Sequence, residues 1–239
     1  MKEDRASVML TGFEHLSKKS KTLKIAGVDG CKAGWVMVFE EDGNLGVRLL
    51  PRLSQLFQTR WDMVMIDIPI GLSENGRRLC DLLARQWLGR KRASIFFAPT
   101  RTQLPALDYE EVRVQGVSLQ TFYLLPKIRE VDDLISPADQ VWLKEAHPEL
   151  AFYSRSEVDL GKKKSPEGRA ARQQVLKAVG SSFRLGDWEK TFLRKEVALD
   201  DMLDAAILLE VARRFALGEP RQAGGEECDS RGLRMEICF

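Results

Sequence analysis

Two aspartates stand at the ends of apolar segments that have the pattern of buried β-strands. Asp29 closes LKIAGVD, residues 23–29, and Asp67 lies near the end of MVMIDI, residues 63–68. An acid among apolar strand residues is rare unless it is paired or functional. Ligands of open α/β sheets bind where strands end in the carboxyl direction, and neighbouring strands lie about 4.8 Å apart. The two carboxylates are therefore expected to share a divalent cation, although Asp29 before Gly30 also fits simple turn chemistry.

A predicted C-terminal helix, residues 201–217, supplies further acids. Asp201 and Asp204 are three residues apart and share a helix face, which Ala205 and Leu208 continue. An acid on a packed face is costly unless it is paired or binds a metal; the alternative is a solvated face. Carboxylate oxygens suit Mg²⁺ or Mn²⁺. The expected metal ligands are Asp29, Asp67 and Asp204, with Asp201 as a further catalytic acid.

The predicted fifth strand, residues 141–146, leads into a His-Pro-Glu segment. Strand alternation predicts that Glu145 and His147 share one face. We expect Glu145 to be a catalytic carboxylate near the metals, with His147 as an accessory proton shuttle and Glu149 as an accessory acid. The alternative is a strand-end histidine bonded to the backbone beside a satisfied pair of glutamates.

Two basic segments complement the acids. Residues 77–92 carry six Lys or Arg against one Asp, a net charge of +5, and residues 161–177 carry six against one Glu, also +5. Cations hold phosphates, and the start of the predicted helix at 166 itself favours anions. The alternative is plain solvated surface. The residues expected to contact a nucleic-acid backbone are Lys162, Lys163, Lys164, Arg169 and Arg172.

The elements that must position these residues follow from periodicity and turn signals. Three strands joined by tight turns indicate an antiparallel meander, after which two helix-separated strands indicate a parallel section. The expected strands are 23–29, 35–40, 45–50, 63–68 and 141–146, with a short last strand at 233–238. The expected helices are 53–59, 77–88, 118–135 with Pro126 inside it, 166–179, 187–194 and 201–217. The fold class is therefore α/β, with a five-stranded mixed sheet flanked by helices.

Composition limits the class of protein. The chain has 239 residues, 44% of them apolar and 30% charged, which is ordinary for a globular protein. We expect a flexible extension over residues 1–22 and one domain over 23–239. No apolar run approaches the roughly 18 residues of a membrane span. The N-terminus lacks the apolar core of a secretory signal, and the four scattered cysteines give no zinc or disulfide framework, so we expect a cytoplasmic location.

A set of motifs resembles a known family. The sequence contains, in this order, GVDGCKAGWV (27–36), IDIPIGL (66–72), RxxCDxxARxxLG (77–89), PxR (99–101), GxSxQ (116–120), PKIxEVD (126–132), EAHPELAF (145–152) and DDMLDA (200–205). Together they resemble a widespread family labelled only as a domain of unknown function, whose members are predicted nucleases of the ribonuclease H-like fold. The resemblance covers about residues 24–238.

The resemblance implies roles for particular acids. The fold implies metal ligands at Asp29, Asp67 and Asp204, with Asp201 one turn earlier, similar to the paired acids of junction-resolving nucleases. Ribonucleases H proper also use a glutamate on the helix after the third strand, but segment 53–59 has no acid. This difference favours the resolvase-like arrangement.

The expected function is a metal-dependent nuclease that hydrolyses a nucleic-acid backbone by a two-metal mechanism with Mg²⁺ or Mn²⁺. One rival is a small phosphotransferase or ATPase of the actin-like fold, in which Asp29 would hold Mg²⁺ near phosphates. The other is a non-catalytic binding module that has the fold without the activity.

Overall fold

A five-stranded mixed sheet forms the centre of the protein in a computed structural model that describes residues 22–239. Its strands are β1 (Ile25–Cys31), β2 (Gly34–Glu41), β3 (Asn44–Leu50), β4 (Met63–Ile66) and β5 (Leu143–Glu145). Their order is β3-β2-β1-β4-β5, with β1 to β3 antiparallel, β4 parallel to β1 and β5 parallel to β4. The predicted meander with two added parallel strands is confirmed. The expected extension, residues 1–22, lies outside the described residues apart from Thr22.

Helices flank this sheet. In the described part of the chain the α-helices are α1 (Leu79–Leu88), α2 (Tyr109–Arg113), α3 (Leu119–Leu134), α4 (Pro148–Ser156), α5 (Pro166–Ala178), α6 (Leu185–Trp188) and α7 (Leu199–Ala216). Short 3₁₀ helices cover Leu53–Gln58, Gly89–Ser94 and Pro137–Val141. Within residues 22–239, the length and apolarity that a bilayer crossing requires are met by none of these helices.

Several elements differ from the expectation: α2 and α4 were not predicted, and α6 covers Leu185–Trp188 instead of residues 187–194. Pro148 begins α4 rather than only ending a strand, because proline suits the first helical position and the His147 imidazole caps the helix by accepting from the Leu150 N–H at 3.4 Å. A strand β6 (Gln222–Cys228) also pairs with β7 (Arg234–Cys238). Its sequence QAGGEEC lacks apolar alternation, which is why only β7 was predicted.

The pleat of the sheet separates two apolar cores. Ile25 and Met65 belong to the core that contains α7, whereas Ala26, Val28 and Ile66 belong to the core that contains α3. Successive strand side chains point to opposite faces, so residue parity assigns every position on β1 and β4 to one helix layer or the other.

Gly27 lets α7 approach β1 closely. A Cβ atom at Gly27 would lie 2.1 Å from the Ala205 carbonyl oxygen and 2.3 Å from the Leu209 nitrogen, both backbone atoms of α7. Only a residue without a side chain fits there. The first glycine of GVDG therefore sets the distance between the strand that carries Asp29 and the helix that carries Asp204.

Candidate active site

Strand parity directs two acids to the α7 face. Asp29 follows Gly27 by two residues on β1, and Asp67 follows Met65 by two residues at the end of β4. Both carboxylates therefore lie on the side of the sheet that α7 covers. The Asp67 N–H donates to the Val28 carbonyl at 3.0 Å, which continues the β1–β4 ladder past the last strand residue. The structure thus brings the two aspartates to the carboxyl edge of neighbouring strands.

Helix α7 adds two more acids at this edge. Asp204 adjoins Ala205, whose carbonyl faces β1, and only 3% of Asp204 is exposed. Asp201 lies one turn earlier and accepts from the Ala198 N–H at 3.0 Å, so its carboxylate also satisfies a free donor at the start of the helix. We name Asp29, Asp67, Asp201 and Asp204 the acid cluster.

Burial and mutual repulsion raise the pKa of every acid in the cluster. Burial, with the charges of Asp67, Asp204 and Asp201, raises the pKa of Asp29 well above its usual range. Burial and Asp204 raise the pKa of Asp67 to about 8. Burial also raises the pKa of Asp204, against the opposing effect of Lys163, and raises that of Asp201 to about 6. Such shifts mean that the site lacks positive charge.

Lys163 supplies part of that charge. Its ammonium lies 2.8 Å from Asp204 Oδ2 and 3.9 Å from Asp200 Oδ2. Although burial lowers it, the pKa of Lys163 is raised by Asp204 and further by Asp29 and Asp67. Within residues 22–239, no cationic side chain lies within ion-pair distance of Asp29 or Asp67. The lysine thus neutralises one side of the cluster only.

The acid cluster has the ligand types that a hard divalent cation needs, but the ligands are not already arranged around a metal position. Its groups are carboxyl groups, which become carboxylate ligands when a cation displaces their protons, and carboxylates are the ligands that Mg²⁺ and Mn²⁺ prefer. Among the residues that the structure describes, however, no three Asp, Glu, His or Cys side chains already form a group that could hold a metal. The residues fit a cation chemically, and a cation bound there would replace the Lys163–Asp204 contact.

Glu145 does not belong to the acid cluster. It pairs with Ile66 in the β4–β5 register, and Ile66 faces the α3 core, so the Glu145 side chain points away from α7. Both of its carboxylate oxygens accept from Arg78, at 2.7 and 2.8 Å, and Oε2 also accepts from the Ile70 N–H at 2.7 Å. Because Arg78 also pairs with Asp81 at 2.6 Å, Glu145 anchors the loop after β4. Because the charge of Glu145 also raises the pKa of Asp67, its expected role as a catalytic carboxylate stays a prediction.

His147 and Glu149 line the site while holding structure. Strand β5 ends at Glu145, so the alternation that would put His147 on the same face stops there. Burial lowers the pKa of His147 to about 4, and the neutral ring caps α4. Glu149 accepts from Lys91 and Arg172, each at 2.7 Å. The structure therefore favours the structural alternative for both residues.

The residues expected to contact phosphates lie in four different settings. Lys162 and Lys164 are exposed beside the site, whereas Lys163 turns into the acid cluster. Arg169 donates to the Lys164 carbonyl. Arg172 is 1% exposed and donates to the Gly168 carbonyl at 3.2 Å besides its pair with Glu149. Arg172 is thus a buried positioning residue, which corrects its assignment as a free phosphate ligand.

A cavity of about 540 Å³ opens next to the acid cluster. Asp67, Asp204 and Lys163 line its inner side, and Phe96 and Gln120 line another part of its wall. Neither of these last two residues was among the site residues expected from the sequence. Gln120 closes the GxSxQ motif, whose Ser118 caps α3 by accepting from the Thr121 N–H, but nothing in the pattern of Phe96 marks it as functional.

Other motif residues hold the loops around the site. Glu130 of PKIxEVD accepts from Trp35 Nε1 at 2.9 Å and from the Leu53 N–H at 2.6 Å. Arg101 of PxR donates to both Asp132 oxygens, at 3.0 and 3.2 Å. These contacts connect α3 to the start of β2 and to the loop before α2. Glu130 and Arg101 therefore stabilise the fold around the site.

Comparison with known proteins gives one match. A family model described as "Protein of unknown function (DUF429)" matches residues 27–228. Neither the curated proteins nor the solved structures gave a significant match to this chain. The matched residues include most of β1, all of β2 to β5 and α7, and all four members of the acid cluster.

Proposed function

The chain belongs to the DUF429 family, whose function is unknown, and we propose from its site that it is a metal-dependent nuclease with a ribonuclease H-like fold. The observation that carries the proposal is the acid cluster. Four carboxylates from two adjacent strands and one helix meet in a setting that raises the pKa of each. Buried acids with raised pKa values destabilise the folded state, so a cluster of them is expected to serve a function such as cation binding.

The fold assignment rests on the sheet and on where the acids come from. An antiparallel meander followed by two parallel strands is the arrangement expected of the ribonuclease H-like fold. The acids come from the first strand, the fourth strand and the last long helix, as the resemblance implies for Asp29, Asp67 and Asp204. The four free cysteines in the described residues agree with a reducing, cytoplasmic setting.

Each residue of the site has a definite task in this proposal. Asp29, Asp67 and Asp204 would hold Mg²⁺ or Mn²⁺, which supplies an activated water and stabilises the charge of the leaving oxygen. Asp201 keeps the first turn of α7 closed and adds negative charge. Lys163 neutralises Asp204 until the cation arrives and then becomes free to bind a substrate phosphate beside Lys162 and Lys164.

One observation favours a second candidate. The Lys163–Asp204 pair at 2.8 Å already places a cation at the cluster. If that contact is permanent, the protein is a non-catalytic nucleic-acid binding module that retains the fold. The two candidates differ in whether a divalent cation changes the protein.

The test is a cleavage assay with end-labelled single-stranded and duplex DNA and RNA, in Mn²⁺, in Mg²⁺ and in EDTA. We expect cleavage that needs the cation and that Asp67→Asn abolishes. The matched control is Asp133→Asn, which neutralises an exposed aspartate of α3 and should leave cleavage unchanged. Cleavage in EDTA, or full activity in Asp67→Asn, would refute the proposal; binding without cleavage in either cation would favour the binding module.

A further inference from the structure

A second cavity continues from the first. It measures about 560 Å³ and shares Ala93, Phe96 and Gln120 with the cavity beside the acid cluster. Phe97, Arg77 and Arg85 line its far side. A shallower recess follows along α1 and the 3₁₀ helix Gly89–Ser94, and Arg77 and Arg85 line it too. The three spaces therefore form one path that starts at the acid cluster.

Four arginines define the outer part of this path, and one of them, Arg85, donates to the Ile95 carbonyl. Arg77 and Arg85 line both outer spaces, and Arg90 and Arg92 line the last one; we name these four residues the arginine groove. No Asp or Glu of residues 22–239 lines either outer space. Nor does any carboxylate in that part of the chain pair with the four arginines.

The clustering of these four arginines is what is informative, since Arg48 and Arg60 also have no carboxylate partner among residues 22–239 but line neither outer space. Arg78, Arg101 and Arg172 each bind at least one carboxylate. A concentration of guanidinium groups without acids points to a ligand that carries several negative charges.

Aromatic and amide groups lie along the same path. The guanidinium of Arg77 lies 3.8 Å from the Phe97 ring centre and that of Arg85 lies 4.5 Å from it. Flat guanidinium and aromatic faces are the surfaces on which unpaired bases stack. Gln120 is exposed at the shared part of the two cavities, and its amide could hydrogen-bond a base edge.

We infer that the arginine groove binds a single-stranded nucleic-acid segment, with one unpaired nucleotide held between Phe96 and Gln120. Recesses of 540 and 560 Å³ are of the size that encloses a small ligand, which suits a splayed nucleotide better than a paired one. The inference deepens the proposed function, because the strand would lead its next phosphate to the acid cluster. Binding itself needs no metal, so it can be tested apart from cleavage.

The first test measures charge. Binding of a labelled single strand of about 12 nucleotides, a length that spans a site of this kind, is followed by fluorescence anisotropy in EDTA. Arg90→Glu together with Arg92→Glu should weaken binding at least about tenfold and lower the slope of log K against log salt by roughly 1.4, the value for two single-strand phosphates. The control pair is Arg48→Glu with Arg60→Glu, exposed residues on the far edge strand β3 and before β4, which should change binding less than about twofold.

The second test measures stacking. Phe96→Leu should weaken single-strand binding about fivefold or more, and Phe96→Tyr should restore it, because base stacking needs the ring rather than its hydrophobic volume. Thermal melting of each variant confirms that it is folded. A competitor of inorganic polyphosphate, which has charges but no bases, should displace the strand poorly at equal phosphate concentration.

The outcomes separate the two proposals. Equal or tighter binding of a duplex, equal effects of the groove and control pairs, or full competition by polyphosphate would each overturn the single-strand inference. If the strand binds but no metal-dependent cleavage occurs, the nuclease proposal is refuted and the proposal of single-strand binding by the arginine groove is supported.

Discussion

Replacing Asp67 by Asn should stabilise the metal-free protein at neutral pH. Burial and Asp204 raise the pKa of Asp67 from 3.8 to about 8, so the native state binds this proton more tightly than the unfolded state does. Stability therefore falls as pH rises from about 4 to about 8. At pH 7 the pH lies roughly three units above the pKa of Asp67 in the unfolded state, while the native carboxyl group is still mostly protonated. Each unit lowers the free energy of unfolding by about 1.4 kcal/mol, so the loss at pH 7 is at most about 4 kcal/mol.

Asparagine should relieve this penalty without creating another. It is nearly isosteric and neutral, and no cationic side chain of residues 22–239 lies within 4 Å of Asp67 to be left unpaired. Allowing for solvent relaxation, we expect a gain of about 2 to 4 kcal/mol at pH 7 that vanishes near pH 4. Urea unfolding across this pH range, without metal, measures the difference, with Asp133→Asn as the exposed control.

Metal should reduce the difference in the free energy of unfolding between the two proteins. At a concentration of Mn²⁺ about 100 times its Kd, the parent gains about 2.7 kcal/mol, whereas the variant, which lacks a ligand charge, should gain less than about 1 kcal/mol. A loss of about 3 to 5 kcal/mol in Asp67→Asn at pH 7 would instead identify a buried ion pair. A stability difference that does not depend on pH would equally refute the reasoning.

Four other changes test separate parts of the structure. Gly27→Ala should cost at least about 3 kcal/mol, because its Cβ would meet α7 backbone at 2.1 Å; a melting temperature close to that of the parent would contradict the close approach. Arg78→Met should cost about 3 to 5 kcal/mol by leaving Glu145 and Asp81 buried without a cation, and the cost in urea unfolding should shrink as the pH is lowered. Lys163→Met should cost only about 1 kcal/mol, because 46% of its side chain is exposed, yet should tighten Mn²⁺ binding in calorimetry; weaker binding would make Lys163 a helper rather than a competitor. Since the pKa of His147 is lowered from 6.5 to about 4, the parent should lose up to about 3 kcal/mol as pH falls from about 6.5 to about 4; His147→Asn, which keeps a capping side chain, should not show that loss.

The sheet was predictable because its signals are local. Tight turns at Gly30–Gly34 and around Gly43 mark the meander, and the continuous apolar run of β4 marks a strand buried on both faces. The positions of Asp29 and Asp67 followed from these strands, since both lie at strand ends.

The sequence did not determine which side of the sheet Glu145 faces. That side depends on the register of β5 against β4, and a shift of one residue reverses every side chain. Strand β5 has only three residues, so its own pattern fixes no register. Helix α4 then breaks the alternation that was expected to carry His147 to the same face.

Ion pairs between residues far apart in the sequence could not be predicted either. The sequence of a lysine run does not show which of its side chains face solvent and which turn inward, as Lys163 does toward Asp204. Likewise Arg172 and Arg90 are alike in sequence, but one is buried against Glu149 and the other lies in an acid-free groove. Tertiary contacts between distant segments decide these cases.

Anomalous diffraction from crystals soaked in Mn²⁺ would test the central claim most directly. We predict Mn²⁺ bound by Asp29, Asp67 and Asp204 in the parent, with the Lys163 ammonium moved away from Asp204, and no such peak in Asp67→Asn. A parent structure without Mn²⁺ at the acid cluster, and with the Lys163–Asp204 contact intact at saturating metal, would contradict the account.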